Sequence, residues 1–255
     1  MYDVHIHVPV DPDGPGKRVA ELVEKYTSLD TFGNILGRDS RTSTGRVDVS
    51  NDYITAVVKK YPDKFLGIGS VDPWMGKIAL YEVERAIKEL GLKGLKFEPY
   101  RQEFFLNDRQ FYPLWAKIQE LGVPIMVHTG TIQGQGRQHL KYNKPIPYID
   151  DVAADFPELT IIACHPSFPW QDETLAVAAH KKNVFIELSA AYPEDFSDNL
   201  IKFMGKGLQN KIMFGSGYPL FEPGEWVKQF RALPLSQEVQ EKVLFKNAAK
   251  LFGLK

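Results

Sequence analysis

Eight short apolar, β-favouring runs punctuate the chain, near Tyr2–His7, Gly33–Leu36, Phe65–Val71, Gly94–Phe97, Pro124–His128, Thr160–His165, Val184–Leu188 and Ile212–Phe214. Their starts recur about every 30 residues, the length of a βα unit. The segments between them carry apolar residues at three- and four-residue spacing, as in Val83, Ala86, Ile87 and Leu90, or Phe111, Leu114, Trp115 and Ile118. That period puts one apolar stripe along a helix. Ser50-Asn51 and Asn107-Asp108 offer side-chain oxygens for helix starts, and Gly91 and Gly122 suit helix ends.

Eight strands alternating with helices predict a distorted (β/α)8 TIM barrel, an α/β fold in which residues 1–255 form a single domain. A doubly wound open sheet is the competing arrangement. The two longest irregular segments, Gly37–Ser50 and Thr129–Pro147, both follow strands. In a barrel they would lie on the carboxyl-end face, where barrel enzymes build their sites.

Composition narrows the class. The chain is 44% hydrophobic and 25% charged, with a formal net charge of −1 and both signs interspersed. A substantial core is expected, and a nucleic-acid-binding surface is not. The single cysteine, Cys164, allows no internal disulfide and suits a reducing compartment. No apolar run approaches the roughly 20 residues needed to span a bilayer. The first strand begins almost at the amino terminus, leaving no room for a signal peptide. A soluble, cytoplasmic protein is the expectation.

Four of the six histidines sit at or near strand ends, in Asp3-Val4-His5-Ile6-His7, Val127-His128-Thr129 and Cys164-His165-Pro166. Residues two apart on a strand share a face, so His5 and His7 point one way. Two adjacent imidazoles with a third nitrogen from a later strand would hold a divalent ion and leave a position for water. His128 is the candidate third ligand, and His165 the general acid or base. Any one of these alone reads as a hydrogen-bonded structural histidine. Three of eight strands ending in histidine favour the functional reading. His139 and His180 have polar neighbours and read as surface residues. Cys164, by alternation, faces away from His165 and reads as core.

Asp-x-His-x-His on the first strand, Gly94-Leu95-Lys96-Phe97-Glu98-Pro99, Pro124 to Gly130, Cys164-His165-Pro166 and the closing Asn247 to Leu254 resemble, in that order, the amidohydrolase-related barrels. That branch includes aminocarboxymuconate-semialdehyde decarboxylase and γ-resorcylate decarboxylase. The resemblance implies one divalent metal ion, zinc or similar, and C–C cleavage, hydrolysis or hydration of a small carboxylated substrate. Matched residue by residue, it puts His5, His7 and His128 on the metal and His165 at the catalytic position. A homodimer is a further implication.

One position departs from the pattern. The family's eighth strand reads Gly-Ser-Asp-Tyr-Pro, whereas this chain reads Gly215-Ser216-Gly217-Tyr218-Pro219. Three histidines and water could suffice, another carboxylate could substitute, with Glu98 the candidate, or the chain could bind a ligand without turnover. A hydrolase needing no metal is a further alternative. Arg38 and Arg41 after the second strand, and Lys96 and Glu98 on the fourth, are the candidates to face the substrate. Arginine's planar fork suits a carboxylate.

Overall fold

All eight apolar runs become strands of one parallel sheet in the computed structural model, which describes residues 1–131 and 136–254. In chain order the strands are β1 (Tyr2–Ile6), β2 (Phe32–Leu36), β3 (Arg38–Ser40), β4 (Arg46–Val49), β5 (Phe65–Ser70), β6 (Leu95–Phe97), β7 (Ile125–His128), β8 (Ile161–Cys164), β9 (Val184–Glu187) and β10 (Ile212–Met213). The sheet runs β1-β2-β5-β6-β7-β8-β9-β10. Backbone bonds from Val4 N to Phe214 O (3.0 Å), Gly217 N to His5 O (2.9 Å) and His7 N to Tyr218 O (2.8 Å) join its two edges. The result is a closed TIM barrel rather than an open sheet.

Two apolar layers hold it. Tyr2, Val4, Leu36, Ile68, Met126 and Ile162 pack inside the barrel, and Ala248 and Ala249 of the last helix close its lower end. A larger layer lies between strands and helices and includes Ile6, Ile35, Phe65, Trp115 and Trp226. Strands buried on both faces read as continuous apolar runs, which is why the pattern marks them so clearly.

The seam is tied by a buried carboxylate. Asp3 accepts from Ser216 N (2.9 Å), Ser216 Oγ (2.5 Å), Tyr26 Oη (2.7 Å) and His5 N (3.1 Å). Burial nevertheless raises the Asp3 carboxyl to about 6.

One expectation fails. Residues 37–50 are not an irregular loop: β3 and β4 form an antiparallel hairpin around a one-turn helix, Arg41–Thr44. β3 is wholly polar, and the alternation of β4, Arg46-Val47-Asp48-Val49, is too short to stand out. Instead the hairpin is tied down by Arg101, which bonds Ser40 Oγ at 3.1 Å and pairs with Asp48. The second segment, 129–147, contains a 3₁₀ turn at Leu140–Asn143, and its residues 132–135 lie outside those described.

Candidate active site

A cavity of about 260 Å³ opens at the carboxyl ends of the strands and is lined by His5, His7, Arg38, Glu98, His128 and His165, with Tyr100, Phe168 and Gly217 among its other walls. Two backbone irregularities aim the rings. The β1–β2 register shifts between Asp3 and Ile6, so Val4 faces the barrel interior while His5 and His7 reach the cavity. His165 leaves β8 with φ +75°. Ser167 (φ +66°) and Ala190 (φ +62°) on the same walls are also left-handed. Such strain in non-glycine residues concentrates at functional sites.

The polar groups form one connected set. His5 Nδ1 meets Glu187 Oε1 at 2.8 Å. Glu187 also accepts from Ser189 N (2.8 Å) and Ser189 Oγ (2.9 Å). Ser189 in turn faces His165 Nδ1, through Oγ at 2.8 Å and its carbonyl oxygen at 3.2 Å. His165 Nε2 lies 3.0 Å from His128 Nδ1. On the opposite wall Arg38 Nε pairs with Glu98 Oε2 at 3.0 Å, and Arg38 Nη2 lies 3.3 Å from His7 Nδ1.

All four imidazoles are held neutral at pH 7. Burial is the main cause for each; Lys96 adds to it at His5 and His128, and His128 adds to it at His165. His7 falls to about 3 through burial and the Arg38 charge, against the pull of Glu98. Burial would raise the Glu98 carboxyl, but Arg38 and Lys96 outweigh it and hold it below its ordinary range.

Neutral imidazole is the form that binds a metal ion. His128 Nε2 is buried and has no hydrogen-bond partner among the described residues, as a nitrogen available to a ligand would be, although the Thr131 backbone acts on the ring. Glu187 holds the other nitrogen of His5, the usual arrangement for a ligating histidine. His5 and His128 therefore each offer a nitrogen suited to a divalent ion. Among the described residues, the three donor atoms lying within 4.8 Å of one another belong to His5, Cys164 and Glu187. That trio makes a poor site as it stands. Lys96 Nζ lies 3.0 Å from Cys164 Sγ, and burial, reinforced by Glu187, pushes the thiol above its ordinary range. A protonated thiol beside an ammonium does not attract a cation.

Several expectations need correction. Arg41 lies outside the cavity, because Asp39 engages it at 2.7 Å in a separate cleft. Lys96 is buried beneath the cavity, bonded to Cys164 rather than exposed to a substrate. Cys164 is core, as expected, but it faces the barrel interior; the turned backbone of His165 breaks the alternation on which the opposite reading rested. Arg38 and Glu98 do reach the cavity, as a pair. Two further residues, Glu187 and Ser189, carry no signal in the sequence beyond the end of an apolar strand.

The amidohydrolase family model matches residues 2–254, and the chain belongs to that family. It is 23% identical over 245 residues to 2-amino-3-carboxymuconate-6-semialdehyde decarboxylase of Dictyostelium discoideum, covering 80% of this chain and 65% of that protein. The chain thus spans just under two thirds of that relative's length, and less of the other curated relatives it matches. An uncharacterized TIM-barrel protein from Bordetella bronchiseptica superposes with a TM-score of 0.85 at 26% identity, over 99% of this chain and 98% of that one. A dihydroxybenzoic acid decarboxylase from Polaromonas, with bound manganese and the inhibitor 2-nitroresorcinol, superposes with a TM-score of 0.67 at 17% identity, over 99% and 96% of the two chains.

Proposed function

We propose that this member of the amidohydrolase family is a metal-dependent decarboxylase of a small carboxylated, aromatic substrate. The observation that carries the reading is His128 Nε2, a buried nitrogen with no partner among the described residues, in a cavity shared with His5 and His7. The decarboxylases among the relatives support the reaction class. His5, His7 and His128 would hold a divalent ion, zinc or manganese, with Arg38 Nη2 first giving up His7 Nδ1: an arginine can only donate, so that contact puts the neutral ring's proton on Nε2. Such an ion, when bound, supplies a Lewis acid for substrate oxygens and lowers the pKa of water.

The remaining chemistry falls to the chain's own groups. Arg38 is fixed by Glu98 through Nε, so the guanidinium is already oriented towards a carboxylate in the cavity. Tyr100 and Phe168 wall the space and suit a planar ring. His165 carries the proton. Its Nε2 is held by His128 Nδ1, so loading it requires that 3.0 Å contact to open. The substrate's negative charge offsets the cost of an imidazolium in so buried a place. Decarboxylation breaks the C–C bond, carbon dioxide leaves, and the electron pair left on carbon takes the proton from His165.

One observation favours a second reading, binding without turnover: Gly217, where the resemblance implies an aspartate, lines the cavity. The test is to incubate the metal-reconstituted protein with a panel of hydroxybenzoates and measure carbon dioxide. Release that disappears in both His5→Ala and His165→Asn supports decarboxylation. Hydrolysed or hydrated products without carbon dioxide overturn it, and tight binding with no product supports the second reading.

A further inference from the structure

Glu187 sits at the centre of the polar set, and the donors around it fix where each proton lies. Ser189 N can only donate, and it donates to Glu187 Oε2 at 2.8 Å. His5 Nδ1, at 2.8 Å from Oε1, must carry a proton for that contact to be a hydrogen bond. Neutral His5 therefore has a bare lone pair at Nε2. The same reasoning runs along the other arm. Ser189 Oγ gives its hydrogen to Glu187 Oε1 at 2.9 Å, which leaves it an acceptor towards His165 Nδ1 at 2.8 Å. The Ser189 carbonyl oxygen, 3.2 Å from the same nitrogen, can only accept. His165 consequently carries its proton on Nδ1 and presents a lone pair at Nε2. His128 Nδ1, 3.0 Å away, must donate to it. The end of the chain is again a bare Nε2, and that atom is the buried nitrogen with no partner among the described residues.

We propose that Glu187 is a positioning residue that fixes the tautomer of His5 and leaves its Nε2 unprotonated, while the Ser189 carbonyl, acting through His165, sets the same tautomer in His128. The proposal rests on the reading of His5 and His128 as metal ligands. Glu187 and Ser189 thus prepare two ligands on opposite sides of the barrel, β1 and β7. Glu187 acts on His5 through the hydrogen bond from Nδ1, and its oxygens also hold Ser189 N and Oγ. The space it needs comes from Gly215, where any Cβ would lie 2.3 Å from Oε2.

The test is nitrogen-15 imidazole NMR on the metal-free full chain, with manganese titration as a second readout. The wild type should show His5, His128 and His165 protonated on Nδ1 alone. Glu187→Gln can turn its amide towards His5, and should move the His5 proton to Nε2 and weaken manganese binding about 10- to 100-fold. Ser189→Ala removes the hydroxyl but keeps the carbonyl that faces His165 Nδ1, so His5, His165 and His128 should all stay as in the wild type. A His5 tautomer unchanged in Glu187→Gln overturns the proposal, as does a His128 tautomer that moves in Ser189→Ala or a wild type protonated at His5 or His128 Nε2. If Glu187→Gln fails to fold, the wild-type spectrum decides alone, and a His5 proton on Nε2 is then the overturning result. Because these spectra need no substrate, a failed decarboxylation assay leaves them untouched, and failure here leaves that assay free to succeed.

Discussion

The carboxylate of Glu187 fills the space in front of the Gly215 backbone: a Cβ at 215 would lie 2.3 Å from Oε2 and 3.1 Å from the His5 Cβ. Neither neighbour can retreat freely, because Glu187 is fully buried and held by His5 and Ser189. Gly215→Ala should therefore cost about 1–3 kcal/mol, in the range for overfilling a packed site. It should also turn His5 and weaken metal binding at least ~10-fold. A thermal melt and a metal titration check this; wild-type values in both would contradict it.

Gly217 presents a different constraint. Its φ is +78°, and a Cβ there would lie 3.3 Å from the Ala190 backbone nitrogen. Gly217→Asp must adopt a left-handed conformation at a cost of about 1 kcal/mol, while placing a carboxylate at the cavity wall. The expected outcome is a lower melting temperature in the metal-free protein with tighter manganese binding. An unchanged affinity would remove support for the idea that the missing aspartate is a lost ligand.

Arg38 and Arg41 make a matched pair for substrate recognition, because only Arg38 lines the cavity. Arg38→Lys keeps the charge but loses the fork, and should raise KM for a carboxylated substrate about 10- to 100-fold, the worth of a charge-assisted hydrogen bond. Arg41→Lys should leave KM unchanged. Equal effects of the two substitutions would sink the assignment of Arg38.

Acid should unfold the protein unusually early. The four site histidines are held below their ordinary 6.5 in the folded state, chiefly by burial. The unfolded chain then binds more protons, so stability is full above pH 6.5 and falls as pH drops towards the folded values. Asp3, raised to about 6, works in the opposite direction and offsets part of the loss. The net fall between pH 7 and 5.5 should be about 4 kcal/mol, from up to ~1.4 kcal/mol per histidine per pH unit. Denaturant titrations of the metal-free protein at the two pH values measure it; equal midpoints would show that the rings are not held neutral. Added metal should steepen the acid loss, since protons and metal compete for the same nitrogens.

The sequence by itself determined the barrel. Strands buried on both faces must be apolar throughout, so β1, β2 and the six later barrel strands are visible as local runs, and β3 and β4 are not. It also determined which histidines reach the cavity, since residues at the carboxyl end of a barrel strand converge whatever the loops do. Only the tertiary structure decided how those rings are wired. The register shift in β1 and the left-handed backbone at His165 overturn simple alternation, and neither has a local sequence signature. Arg41 was removed from the site by a neighbour two residues away, Asp39, and Lys96 by a partner 68 residues distant, Cys164. Glu187 meets His5 across 182 residues of chain, a contact created solely by closing the sheet. Burial patterns are local and can be read along a chain; hydrogen-bond partners are set by closure and exist only once the first and last strands meet.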